Sequence, residues 1–187
     1  MSIHTRLAIL KRAERYLQAA GYASFSFRTI AADLGIKSAS VHYHFKSKED
    51  LGVAMLTTYR VRFEEWSETR KSDRSAKADL TEWFKYWSGL NRSGDICPGG
   101  AFSAELTELP ERVRQSLREL QETERRWLVD TLARGRKAKH VHSLGRPEDQ
   151  ANLILATLQG GVQLARVTGD LKTFTGIVQQ LKLAVFL

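Results

Sequence analysis

The stretch "FSFRTIAADLGIKSASVHYHFKSKEDL", residues 25–51, decides how the chain is read. Ser26 is a good N-cap for a short helix burying Phe27, Ile30, Ala31 and Leu34. Gly35 stops that helix after about two turns, because glycine alone enters the left-handed conformation without cost. "IKS" makes the turn, and Ser38 is placed to cap another short helix whose inward residues are Val41 and Phe45. So few buried positions leave Lys37, Ser38, Ser40, His42, Tyr43 and His44 for solvent within two turns. Hydroxyls, imidazoles and a phenol reach base edges and phosphate oxygens, and a major groove admits one helix. Arg28, in the first turn of the preceding helix, is positioned for a guanine or a phosphate. Lys46 and Lys48 follow where a backbone would run, Lys48 at a helix N-terminus that itself favours anions.

Outward from this stretch the chain reads as all-α, with about nine helices. Ile3, Leu7, Leu10 and Leu17, with Ala13, Tyr16 and Ala20, recur at spacings of three and four and predict a first amphipathic helix ended by Gly21. "SKED", residues 47–50, is a capping-box pattern opening a longer helix through Leu51, Met55, Tyr59, Phe63 and Trp66. "RKSDRSAKAD", 70–79, is the most polar joint. Trp83, Phe84, Tyr86, Trp87 and Leu90 mark a buried helix, and "NRSGDICPGG", 91–100, a loop. "AFSAEL" is a short helix, and Pro110 stands near the start of a long one running to about residue 137. Residues 147–168, with Leu155, Leu158, Val162 and Ala165 on one face, and the segment from about 170, with Phe174, Val178, Leu181 and Val185, give the last two helices. The sequence division is a DNA-binding part at 1–50 and a helical ligand-binding and dimerisation part at 51–187.

Composition narrows the function. Of 187 residues, 42% are hydrophobic and 27% charged, the balance of a folded globule. The net charge is +8, and residues 1–50 carry +4 of it, so the anion-facing surface is expected near the N-terminus. One Cys excludes an internal disulfide framework and suits a reducing cytoplasm. Charges interrupt every apolar run of "MSIHTRLAILKRAERYL", which reads as neither a signal peptide nor a membrane span. No phosphate loop, nucleophile elbow or Cys–His pair points to an enzyme or to a cofactor. Glu105, Glu108 and Glu111 look like charges at helix N-termini. His42 and His44 lie two apart on a helix and cannot share a metal, and His140 and His142 lack a completing cluster, so no metal site is expected.

"TIAADLGIKSASVHYHFKSKEDL" resembles the DNA-binding domain of TetR-type transcriptional repressors: a helix with "IA", a Gly turn, a small/hydroxyl pair, then an aromatic-rich segment ending "HF" and an "SKE" helix start. The resemblance covers about residues 5–56. It implies a three-helix helix-turn-helix unit, double-stranded operator DNA as partner, and a cytoplasmic homodimer built on the last two helices. It places DNA contacts on Arg28, Thr29, Ser38, Ser40, His42, Tyr43, His44 and Lys48. His42 departs from the pattern, standing where the family usually has Tyr. A dimer also follows from reading length: two recognition helices on a dyad read half-sites about one helical turn apart. Gly160 and Gly161 are expected to let a partner helix approach closely.

Aromatic residues in the rest of the chain suggest a pocket for a small-molecule effector, with Phe63, Trp66, Trp83, Trp87, Phe102, Trp127 and Gln163 as its expected lining. Cys97 joins them. "ICPGGAFSAEL" sets it before a short helix, and the segment resembles a subset of TetR-type regulators that sense electrophiles or oxidants through such a Cys, with Arg92 or Arg166 to stabilise a thiolate. The competing reading of the Cys is a buried, inert thiol. The competing reading of the whole chain is a helical interaction module with a basic end and no sequence preference for DNA.

Overall fold

The computed structural model describes residues 3–70, 74–93, 96–143 and 145–187, without the side chains of 91–93. Nine α-helices follow in order among the described residues: α1 (Ile3–Ala20), α2 (Phe27–Leu34), α3 (Ser38–His44), α4 (Lys48–Glu68), α5 (Ala76–Ser93), α6 (Pro98–Ala104), α7 (Glu111–Lys137), α8 (Pro147–Thr168) and α9 (Leu171–Val185). No strand occurs among them; Val141 and Phe186 form an isolated antiparallel bridge. The chain divides into two compact units, 1–62 with 98–121, and 63–97 with 122–187.

In the first unit α1 packs on α2, α3 and α6, and α2 on α3. The helix starts are built as their sequence asks at two of three places. The Ser26 hydroxyl accepts from the Thr29 N–H while the Thr29 hydroxyl accepts from the Ser26 N–H, a reciprocal box that opens α2. Ser47 does the same for α4, accepting from the Asp50 N–H at 3.1 Å and donating to its carboxylate at 2.9 Å. Ser38 differs from expectation: it is the first residue of α3, the N-cap is Lys37, and no side chain caps that end. Gly35 closes α2 in the left-handed conformation at φ 63°, its N–H turned back to Ala31 and Ala32. The Asp33 carboxylate ties α2 to α1, accepting from Tyr16 at 2.6 Å and Arg12 at 3.3 Å.

This unit extends beyond residues 1–50 because 98–121 pack into it. The Phe102 ring lies 5.4 Å from that of Tyr22, Glu105 accepts from the Ala23 N–H at 2.8 Å, and Arg112 reaches Asp50 at 2.8 Å. Gly21, at φ 92°, stands where a Cβ would run into the Glu105 carboxylate. Glu105 is therefore an acceptor for a backbone N–H across the unit, as well as the N-cap of a short 3-10 helix, Leu106–Glu108. Phe102, expected in an effector pocket, is fully buried in this first unit.

In the second unit α8 packs along α9, and α5 on both. Leu80, Trp83, Phe84, Leu128, Ile154, Leu158 and Phe174 lie in one buried core. Asp170 caps α9, accepting from the Lys172 N–H at 2.9 Å. Gly161 is used within the chain, since a Cβ there would press on the Phe174 ring and Ile177 of α9. It is therefore closed to a partner helix, whereas Gly160 is exposed with open space before it.

Candidate nucleic-acid interface and aromatic cluster

α3 rests on Val41 and Phe45, both buried, as the spacing predicts. Lys37, Ser38, His42 and Tyr43 are exposed beside them, Tyr43 at 63%, so the phenol is presented outward. Ser40 and His44 are only half-buried rather than open, because each flanks the inward stripe by one position. His44 goes further: its Nε2 is enclosed without a hydrogen-bond partner. His42 stands edge-on over Phe27, ring centres 4.8 Å apart, which fixes its imidazole at the start of α2. Arg28 and Lys46 are exposed. Thr29 is exposed, but its hydroxyl also donates to the Ser26 carbonyl at 2.8 Å and is committed to the capping box. The geometry thus brings Arg28, Lys37, Ser38, His42 and Tyr43 onto the α2–turn–α3 surface with their polar ends free of the core.

Lys48 is placed otherwise. Its ammonium lies 4.6 Å from the centres of both the Tyr22 and Phe25 rings. Burial lowers its pKa, and the nearby Glu105 carboxylate works against that. Tyr22 donates to the Lys48 carbonyl at 2.9 Å, and burial, reinforced by Glu49 and Glu105, pushes its phenol up to about 12. Both rings lie more than twenty residues away in sequence, so no local pattern announces this arrangement.

In the second unit, Phe63, Trp66, Trp83, Trp87 and Trp127 form one connected array. Trp127 is 5.6 Å from Phe63, 5.1 Å from Trp66 and 5.5 Å from Trp83, and Trp87 stands edge-on to Trp83 at 5.9 Å. Phe63, Trp66 and Trp127 keep some exposure, while Trp83 and Trp87 are buried. Cys97 is buried in the same core at 8% exposure, just before Pro98, which has no N–H to offer a thiolate. Arg166 is exposed on α8, and the Arg92 side chain lies outside the described residues. Gln163 is half-buried on α8.

Glu124 was not singled out by the sequence reading. It occupies the face of α7 shared by Leu128, Thr131 and Gly135, all buried, and burial alone pushes its carboxyl up to about 7. The signal was available: the apolar positions Leu117, Leu120, Leu128 and Leu132 leave one turn unfilled, and Glu124 fills it. Among the described residues no group of three or more His, Cys, Asp or Glu side chains is placed to hold a metal ion. No helix among them is long and apolar enough to cross a membrane.

On the outer side of α8, Leu153, Thr157, Gly160, Leu164 and Val167 follow at spacings of four and three, with Leu153 60% and Val167 85% exposed. Leu171 and Leu183 add exposed apolar surface on α9.

Residues 9–55 match the family model for bacterial regulatory proteins of the tetR family, and residues 77–181 match that for the tetracyclin repressor-like C-terminal domain. A TetR-family transcriptional regulator from Agrobacterium tumefaciens superposes with a TM-score of 0.92 at 28% identity, over 98% of each chain. A TetR regulator from Legionella pneumophila gives 0.86 at 29% identity, over 99% of this chain and 98% of that one. The reduced form of Escherichia coli NemR shares the fold, with a TM-score of 0.83 at 21% identity over 97% of both chains. A comparison with curated proteins finds no match. With a recognition helix built as above and both halves matched, the chain belongs to the TetR family: it is a transcriptional regulator with a helix-turn-helix DNA-binding domain and a helical ligand-binding domain, not an enzyme.

Proposed function

We propose that the protein is a cytoplasmic repressor that binds a palindromic operator as a homodimer and is released when an effector occupies its C-terminal domain or modifies Cys97. Residues 1–50 form the DNA-binding part, and 51–187 the ligand-binding and dimerisation part. The observation that carries this reading is α3: two residues hold the helix to its unit, and Lys37, Ser38, His42 and Tyr43 are left facing outward. Arg28, Thr29 and Lys46 flank that surface for phosphate contact, with Ser40 and His44 at its inner edge; Lys48 contributes by holding the start of α4 as well as by charge.

The dimer uses the last two helices. The exposed stripe on α8 repeats at close to 3.5 residues, the period of a helix that packs along another helix. Left bare, such a surface favours association, and a second copy offers the same stripe across a two-fold axis. An effector in the aromatic array, bounded by Phe63, Trp66, Trp83, Trp87, Trp127 and Gln163, acts by favouring a conformer whose recognition helices no longer match the half-site spacing. A reactive electrophile at Cys97 acts on the same core.

The test is fluorescence anisotropy of the purified protein on its own upstream DNA and on a scrambled duplex, with and without a thiol-reactive electrophile, beside Cys97→Ser. Preference for the upstream DNA of roughly 10³ or more supports a specific regulator. Loss of binding on treatment only when Cys97 is present supports thiol control. Equal binding to both duplexes, falling together with salt, favours a basic helical interaction module instead.

A further inference from the structure

We propose that Glu105 is a positioning residue for DNA binding: its reach, rather than its charge, holds the turn between α1 and α2 and so sets the α2–turn–α3 surface against the start of α4. The inference deepens the DNA-binding reading above and rests on it.

The turn has little of its own to hold it. Tyr22–Ser24 form a single 3-10 turn, and Gly21 before it has no side chain with which to cap it. The Ala23 N–H instead meets the Glu105 carboxylate at 2.8 Å, from a residue 82 positions away. Gly21 makes room for that approach, since a Cβ there would overlap a carboxylate oxygen, and its φ of 92° suits glycine. A hydrogen bond to a charged acceptor is stronger than one between neutral groups, so the contact outweighs an ordinary turn bond.

The neighbours of the turn are the elements that face DNA. Tyr22 donates to the Lys48 carbonyl at 2.9 Å, and a Cβ at Gly52, one turn further along α4, would stand 3.1 Å from the Tyr22 ring. The Phe102 ring meets Tyr22 from α6, one turn before Glu105. On the other side Phe25 leads directly into the Ser26–Thr29 box that opens α2, with Arg28 in its first turn. Phe27 carries the His42 ring of α3. A displacement of Ala23 therefore passes to Arg28 and His42 through a short run of chain and one ring contact, while Lys48 stays with α4.

Glu105 gains nothing by touching a phosphate, because both are anionic. By charge alone, its removal should tighten binding to any duplex. By reach, its removal should weaken binding to the duplex that the surface fits. The two effects have opposite signs.

Glu105→Gln keeps the length and an acceptor oxygen and discards the charge, whereas Glu105→Asp keeps the charge and falls one methylene short of Ala23. Both, with Glu105→Ala, are compared with the unaltered full chain by anisotropy on upstream and scrambled duplexes, at a temperature below every melt. Glu105→Asp and Glu105→Ala are expected to lose roughly tenfold or more on the upstream duplex, the scale of one hydrogen bond to a charged group, and much less on the scrambled one. Glu105→Gln is expected to keep most of the upstream affinity. Amide NMR spectra without DNA should show residues 22–45 shifted in Glu105→Asp and little moved in Glu105→Gln. Gln and Ala variants that behave alike overturn the proposal, and so does an Asp variant that matches the unaltered protein. Variants that melt lower yet bind both duplexes as the unaltered protein does also overturn it, and leave Glu105 a purely structural role. If the unaltered protein binds both duplexes equally, the specific-regulator reading fails, and shifts over residues 22–45 in Glu105→Asp alone still support the hold on the DNA-facing surface.

Discussion

The second unit turns two carboxylates inward and treats them oppositely. Asp79 on α5 is fully buried, and two guanidinium groups meet it, Arg134 at 3.0 Å and Arg74 at 3.6 Å. Glu124 on α7 is less deeply covered by neighbours' surfaces, yet no cation meets it and its carboxyl rises to about 7. The first arrangement is what a structural acid requires, since a buried charge persists only with partners. The second keeps its carboxyl by shifting its titration, since burial without a cation favours the neutral form.

The largest expected effect tests the unanswered acid. The folded-state pKa of Glu124 is near 7 and its ordinary value 4.5, so the native protein holds a proton there that the unfolded chain has released. The associated stability is fully present below 4.5 and is lost as pH rises through 7. The shift corresponds to about 3 kcal/mol between the two limits. Urea melts of the unaltered protein from pH 5 to pH 8 should therefore show this loss, and Glu124→Gln should flatten the profile and be the more stable protein at pH 8. A variant whose profile stays parallel to that of the unaltered protein would mean that Glu124 finds a partner after all.

The answered acid predicts the reverse sign. Asp79→Ala should destabilise by about 2 kcal/mol, below the range for a fully enclosed pair because both arginines are more than two-fifths exposed. Its urea midpoint should fall at every pH between 6 and 8. An unchanged midpoint would remove the contrast with Glu124.

The same distinction explains which parts of the molecule were legible beforehand. Ser26, Gly35 and Ser47 act on residues within a few positions of themselves, so both ends of α2 and the start of α4 could be read to the residue, and the span 147–168 ends at Pro147 and before Gly169. The contacts of Glu105, Lys48 and Phe102 were not legible because their partners, Ala23, Phe25 and Tyr22, lie far off in sequence. Gly160 and Gly161 look alike in the chain, yet one faces open space and the other the Phe174 ring. The exposed surface of α3 was legible because Val41 within the helix and Phe45 at its C-cap can bury only one side of it. Glu124 was missed because a charged residue in a basic, charge-rich helix draws no notice unless the apolar period is counted through it.

The smallest expected effects carry the comparison to the lysines of the first unit. Lys48 is answered by Tyr22 and Phe25, and Lys37 faces solvent at the start of α3. Lys48→Ala should lower stability by about 1 kcal/mol through the lost ring contacts, visible in thermal melts without DNA. Lys37→Ala should leave the melt within about 0.5 kcal/mol of the original, as substitutions at open surface positions do. Its effect should appear on DNA instead. If each Lys37 of a dimer neutralises one phosphate, the slope of log affinity against log salt becomes shallower by roughly 2, and the loss is similar on upstream and scrambled duplexes. His42→Tyr, which puts in the ring that the resemblance implies there, supplies the counterpart: a change in preference between duplexes with the salt slope unaltered. A Lys37→Ala protein whose slope matches the original would take Lys37 off the phosphate backbone and shift the electrostatic contact to Arg28 and Lys46, the remaining exposed cations of that surface.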